Sequence, residues 1–301
     1  LLIGAVLNTF FPQALQLGSL TTATFSNAGA ATAMGIQLVC LGTTLQLGDI
    51  GRVLKRGSIL LLSKFCIGSV IGIAVGKIFG PAGVLGLSAL AIISAVTNSN
   101  GSVYLALMQT YGDDVDGGAM ALLALNDGPF MTMIAMGVSG LANIPIQALI
   151  ATVTPILVGM ILGNMDKKFA EFVSPAGSVM IPFVGLTLGA GINLMNVLKG
   201  GIPGVILGLI SVFVGGAFIV FCDRMIGRRP GYAGWAVATT AGNAVAVPAV
   251  VAMADPALEP YVSGATTQVA AAVVVTAIIA PLMTSYWAKK YGCPKMPLKT
   301  E

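Results

Sequence analysis

A chain of 301 residues that is 56% hydrophobic and only 9% charged, with a mean hydropathy of +0.93, is not an ordinary soluble domain; it reads as a polytopic membrane protein. It contains no histidine, which excludes imidazole acid–base chemistry and removes the commonest zinc ligand, so a membrane enzyme finds no catalytic constellation here. The net charge of +4 reports topology, as the distribution below indicates, and no nucleic-acid partner is expected.

A helix needs roughly 20 apolar residues to cross the hydrocarbon core. Cutting the chain at Gly, Pro and charge clusters gives spans at residues 1–16, 28–48, 57–79, 83–108, 117–140, 145–163, 174–195, 201–222, 232–254 and 262–287. The expected fold class is an all-α polytopic membrane protein with ten transmembrane helices. The first span begins at Leu1 without the charged flank of a start, so further residues are expected before it. Arg52, Lys55, Arg56, Lys167, Lys168, Arg224, Arg228, Arg229, Lys289, Lys290, Lys295 and Lys299 all fall on one face of this arrangement. That face, and with it both termini, is expected to be cytoplasmic. Lys77 and Lys199 lie on the other face and Lys64 within the third span. Cys40, Cys66, Cys222 and Cys293 have no metal-ligand spacing and read as apolar packers, so neither a metal nor another cofactor is expected.

The chain carries an internal repeat. Leu41-Gly42-Thr43-Thr44-Leu45-Gln46-Leu47 aligns with Leu188-Gly189-Ala190-Gly191-Ile192-Asn193-Leu194 at an offset of 147. Asn100 falls against Asn243 at 143, and Gly118-Ala119 against Gly264-Ala265 at 146. Residues 1–144 and 145–288 then form two five-helix halves, followed by a cytoplasmic tail, 289–301. An odd number of helices per half makes the second enter from the opposite side, which defines inverted repeats.

The fourth and ninth spans are interrupted at corresponding places. Thr97, Asn98, Ser99, Asn100, Gly101 and Ser102 break the fourth; Thr239, Thr240, Gly242 and Asn243 precede Pro248 in the ninth. Backbone freed from helical bonding at membrane depth is tolerated only where it is buried in protein or lines a wet cavity, and paired interrupted segments point to a transporter's binding site. Half-helix N-termini there suit a carboxylate, and freed carbonyls suit a cation or sugar hydroxyls. Small-residue helix packing is the alternative. Asp127 sits mid-span in Leu125-Asn126-Asp127-Gly128-Pro129, where a charged carboxylate costs about 2.5–3.5 kcal/mol. Taking up a proton relieves that cost, which is what proton coupling requires; a neutral helix cap is the alternative, and Asn126 would orient the acid. Lys64 lies about 10 Å inside the third span, placed either to pair with Asp127 or an anionic substrate, or to snorkel to the cytoplasmic face. Gln37 and Gln46 in the second span, with Asn193 in the seventh, are candidate substrate contacts from the opposing domain, with polar glue between helices as the alternative. The repeat-related site in the tenth span carries Thr266, Thr267 and Gln268, so charge is expected beside the first break and neutral recognition groups beside the second. Asp113, Asp114 and Asp116 read as a solvated loop.

Ser94-Ala95-Val96-Thr97-Asn98-Ser99-Asn100-Gly101-Ser102-Val103-Tyr104, Met108-Gln109-Thr110-Tyr111-Gly112, Gly128-Pro129-Phe130-Met131-Thr132-Met133 and the Ser63-Lys64 pair resemble the 2-keto-3-deoxygluconate permease family over essentially the whole chain. The resemblance implies proton symport of a small anionic sugar acid into the bacterial cytoplasm across the inner membrane. It also implies kinship with bile-acid-symporter-like and sodium/proton-antiporter-like transporters, in which the fourth and ninth helices are broken and cross. In that architecture spans 3–5 and 8–10 form a moving core, spans 1, 2, 6 and 7 a panel, and transport proceeds by elevator-like displacement of one against the other. Asp127 occupies the family's acidic position before Gly-Pro, whereas Thr97 stands where members often place an acid. A sodium-coupled organic-anion symporter and a cation/proton antiporter are the other readings, since oxygen-rich breaks suit Na⁺ and Asn126-Asp127 resembles a pair found in some exchangers. The lipid bilayer is the expected surrounding partner, and a homo-oligomer stays open.

Overall fold

The computed structural model describes residues 2–44, 50–126, 128–191, 195 and 201–297. Every extended element among them is a helix. In chain order these are α1 (Leu2–Phe10), α2 (Ser19–Phe25), α3 (Ala30–Gly42), α4 (Ile50–Phe79), α5 (Ala89–Thr97), α6 (Gly101–Tyr111), α7 (Asp114–Gly118), α8 (Met120–Leu123) and α9 (Pro129–Val138). There follow α10 (Ile146–Met165), α11 (Lys167–Val179), α12 (Ile181–Gly189), α13 (Gly201–Leu209), α14 (Gly216–Met225), α15 (Tyr232–Val237), α16 (Val247–Ala254) and α17 (Glu259–Tyr291).

Among the described residues, Leu54–Phe79, Lys167–Thr187, Gly201–Met225 and Pro256–Tyr291 are long and apolar enough to cross a bilayer. Tyr232–Val245 and Val247–Ala254 make a further span if the pair, bent by 60°, counts as one. The molecule is thus an all-α, multi-pass membrane protein. Of the other predicted spans, the sixth is α10, 20 residues long with Pro155 inside it, and the rest are shorter or interrupted helices among the described residues. The fourth starts at Ala89 rather than residue 83, because Gly80, Gly83 and Gly86 take positive φ in a tight turn closed by Val84 and Leu87, and Ser88 Oγ then caps the helix through the Ala91 N–H at 3.1 Å. The fifth is divided among α8, a 3₁₀ turn at Ala124–Asn126, and α9, which Pro129 opens. The seventh begins at Lys167, one residue after α10 ends, since Asp166 Oδ1 accepts the Lys168 N–H at 2.8 Å.

Glycines set the closest crossings. A methyl on Gly159 would lie 2.0 Å from the Val39 carbonyl oxygen, and one on Gly42 2.2 Å from that of Ile156. The backbones of α3 and α10 therefore touch, as small-residue interfaces allow in membranes. Gly68 and Gly72 do the same for α4 against α5 at Thr97 and Ile93. α1 packs along α12, and α13 along α17. Buried apolar clusters join α5, α9, α13, α16 and α17 around Ile93, Met133, Leu207, Val247 and Val269, and join α4, α6, α8 and α15 around Leu60, Tyr104, Leu123 and Ala236.

Candidate functional site

The two helix breaks meet. α5 ends at Thr97 and α6 begins at Gly101, with Asn98 and Asn100 extended between them. Asn100 caps α6, its Oδ1 accepting the Val103 N–H at 3.0 Å. In the second half α15 ends at Val237, a 3₁₀ turn runs Gly242–Val245, and α16 carries Pro248 in its first turn. The Asn100 N–H donates to Thr239 Oγ1 at 2.9 Å, and the Thr240 hydroxyl donates to the Ala95 carbonyl at 3.2 Å. Backbone groups freed by the first interruption are thus satisfied by hydroxyls of the second, which a low-dielectric interior demands.

Further bonds tie the crossing to its neighbours. Thr97 donates to the Ile93 carbonyl at 2.6 Å and lies 3.1 Å from the Thr132 hydroxyl. The Asn98 amide donates to the Ser94 carbonyl and to Thr132, while its Oδ1 accepts the Gly128 N–H at 3.2 Å. Asn126 Nδ2 donates to Ser99 Oγ at 3.2 Å. The first break is thereby stitched to both sides of position 127; Asp127 itself, like Gln46 and Asn193, lies outside the described residues. On the second side the Thr240 N–H donates to Thr276 Oγ1 at 2.9 Å.

Lys64 enters from α4 with none of its surface exposed, and its Nζ donates to the Thr239 carbonyl at 2.9 Å. Two expectations change. The stem does not snorkel, because the ammonium is turned inward to the crossing. Nor is charge confined to the first break: a first-half lysine delivers it to the C-terminal end of α15, where the helix dipole is negative.

Gln37, on α3, donates to the Gly177 carbonyl of α11 at 3.3 Å and accepts from Asn243 Nδ2 of the second break at 3.4 Å. Gln268 is not brought there; its amide donates to the Gly86 carbonyl at 2.6 Å. A cavity of about 730 Å³ opens beside the crossing. Met34 and Leu38 of α3 and Pro155 of α10 line one wall, and Pro129, Val245 and Ala246 the other. Its polar lining includes Asn27, Ser263, Thr266 and Thr267, with Glu259 also present. Thr97, Asn98, Ser99, Thr239 and Thr240 are buried behind this surface rather than lining it. Asn27 and Ser263 escaped the sequence reading, since single polar residues near span ends are ordinary.

A second polar cluster contradicts the expectation of a solvated acidic loop. Asp116 is fully buried; its Oδ1 accepts from Arg56 Nε at 2.6 Å, and its Oδ2 from the Tyr232 hydroxyl. Arg56, 4% exposed, also grips buried Asp223 with both terminal nitrogens. At the rim Arg229 Nη1 donates to Asp113 Oδ2 at 2.6 Å. Partial burial raises the Asp113 carboxyl, but the Arg229 hydrogen bond and charge outweigh it and hold the group below its ordinary value; Arg229 is raised in turn. The loop is buried because Arg56 of α4 and the Tyr232 hydroxyl of α15 satisfy the Asp116 carboxylate, while Asp223 of α14 holds the other side of the Arg56 guanidinium.

Bilayer-length apolar helices, two discontinuous helices bonded at a buried polar crossing and a cavity against that crossing define a multi-pass membrane carrier. The chain belongs to the 2-keto-3-deoxygluconate permease (KdgT) family, whose profile matches residues 1–293, and it is accordingly a transporter rather than an enzyme. It is 48% identical over 290 residues to 2-keto-3-deoxygluconate permease 1 of Salmonella typhimurium, covering 96% of this chain and 91% of that protein. It is 38% identical over 298 residues to the 2-keto-3-deoxygluconate permease of Xanthomonas axonopodis pv. citri, covering 96% and 92%.

Proposed function

We propose that this protein imports 2-keto-3-deoxygluconate, or a closely related sugar acid, across the bacterial inner membrane by proton-coupled symport. The observation that carries the reading is the cavity ending on the crossing. Its volume falls within the roughly 300–1,000 Å³ of small-molecule sites, and the relatives are named for this substrate. The neutral polar groups of its lining, Asn27, Ser263, Thr266 and Thr267, meet the sugar hydroxyls, and Val245 and Ala246 form its base, with Gln37 and Asn243 buried beyond them. The substrate carboxylate is drawn toward the buried Lys64 ammonium behind that base. Asp127 takes up the proton that offsets the charge being moved, with Asn126 beside it.

The transport cycle is alternating access on two inverted five-helix repeats, residues 1–144 and 145–288, with spans 3–5 and 8–10 moving against spans 1, 2, 6 and 7. Paired contacts favour this symmetry. Thr97 meets Thr132 and Thr240 meets Thr276 at offsets of 143 and 144, and α1 packs on α12 as α10 packs on α3. With the basic loops and both termini cytoplasmic, the cavity opens outward, so the conformation is outward-facing.

In proteoliposomes, an inward proton gradient should drive accumulation of labelled 2-keto-3-deoxygluconate, and Asp127→Asn should abolish that coupling while the protein still inserts. Accumulation driven by Na⁺ at fixed pH would favour the sodium symporter instead. Proton flux exchanged for Na⁺ without organic solute would favour the antiporter. Unchanged pH-driven uptake by Asp127→Asn would remove that residue from the mechanism.

A further inference from the structure

The two discontinuous helices share an anchor at the end away from the cavity. Tyr104, in the first turn of α6, donates its hydroxyl to the Asp116 carbonyl at 2.7 Å. Tyr232, the first residue of α15, donates its hydroxyl to the carboxylate of the same residue. Both tyrosines and Asp116 are fully buried. Asp116 is itself held from several directions. Its N–H donates to Asp113 Oδ1 at 2.9 Å in a capping box, Arg56 Nε binds its carboxylate, and Arg229 Nη1 lies 3.6 Å away. Arg56 in turn joins α4 to Asp223 on α14.

Burying such a network is costly in desolvation, and apolar replacements of similar volume are often as stable, so raising stability does not account for it, whereas fixing one arrangement does. What it fixes follows from the chain. Tyr104 is four residues from Asn100, about 6 Å along the helix, and the Asn100 N–H makes one of the bonds between the breaks. Tyr232 is seven residues from Thr239, which accepts that bond and, at its carbonyl, the Lys64 ammonium. We infer that Asp116 is a positioning residue: through Tyr104 and Tyr232 it sets the spacing of the half-helix tips that make the crossing. This rests on the reading of the crossing as the transport site.

Tyr104→Phe and Tyr232→Phe remove one tether each and leave the Arg56 ion pairs intact. By amide hydrogen exchange, each should speed exchange in residues 98–104 and 238–244 by about tenfold, with α13 and α17 unchanged. Uptake KM should rise while Vmax per inserted molecule is retained. Trp287→Phe, which deletes a nearby bond to the Pro230 carbonyl, should alter neither quantity. Unchanged exchange at the tips in both tyrosine variants, or acceleration spread evenly through α13 and α17, would overturn the inference. The exchange arm needs no transported substrate, so a failed uptake assay in the parent protein would count against the proposed function and leave this test decisive.

Discussion

The crossing of the broken helices and the Arg56 cluster are both buried, polar and assembled from distant segments, yet they solve burial differently. At the crossing, neutral hydroxyls, amides and backbone groups satisfy one another, and Lys64 is the cation reaching in. In the cluster, Arg56 is matched to Asp116 and Asp223 with tyrosine hydroxyls filling remaining positions. Neutral hydrogen bonds are individually worth about 0.5–1.5 kcal/mol and can be exchanged for bonds to a passing solute. A closed ion network gives up much more when one member leaves. The contrast teaches that a crossing built from exchangeable neutral bonds, the region proposed to meet substrate, stands on a cluster whose charges hold a single arrangement.

Removing the cation tests the rigid side most severely. Arg56→Met leaves two buried carboxylates without their partner and should destabilise the protein by about 3–5 kcal/mol, read as a lower thermal midpoint in detergent. Replacing the triad together, Arg56→Met with Asp116→Leu and Asp223→Leu, should recover most of that stability but not the parent uptake KM, since Asp116→Leu removes the Tyr232 tether. Recovery of both would reduce the cluster to a stability element.

A smaller effect is expected at the crossing. Lys64→Met keeps most of the stem and deletes the charge and the bond to the Thr239 carbonyl. A hydrogen bond to a charged group is worth about 1.5–3 kcal/mol, so uptake should fall by about 10- to 100-fold, with insertion into the membrane retained. If the variant transports at the parent rate with the parent pH profile, the crossing works without a cation, and the two regions differ less than their chemistry suggests.

The two regions also differed in how far they could be foreseen. Both breaks were visible because Asn, Gly and Pro interrupt apolar runs, and their partnership followed from the repeat offsets. The cluster was hidden because its members look ordinary locally. Three acids in four residues resemble a solvated loop, and Arg56 resembles any basic residue at a span's cytoplasmic end. Their pairing spans 60 positions for Asp116 and 167 for Asp223, which no local pattern reports. Asp223 gave no clearer signal, since it stands beside Arg224 just past the predicted span end at residue 222 and reads as one more charge at the cytoplasmic face. Helix ends were misplaced for a related reason. α4 begins at Ile50 and α17 continues to Tyr291 through Lys289 and Lys290, because lysine and arginine propagate a helix beyond the bilayer as readily as apolar residues do within it. Gln268 was displaced from the expected site by an offset alone: its neighbours Thr266 and Thr267 face the cavity while its own amide turns to Gly86.

The smallest effect belongs to the rim of the cluster, where water screens the charges. Asp113 and Arg229 side chains are 35% and 26% exposed, so their ion pair should contribute at most about 1 kcal/mol. The folded carboxyl lies below its ordinary 3.8 because the Arg229 contacts and the Asp116 N–H outweigh burial. A depressed carboxyl stabilises the fold above its unfolded value, and that contribution is lost as pH falls through the folded value. Asp113→Asn should therefore lower the thermal midpoint slightly at pH 7, and the gap between variant and parent should close below about pH 4. A gap that persisted or widened in acid would show that Asp113 acts through its cap on Asp116, which asparagine would have to reproduce, rather than through its charge.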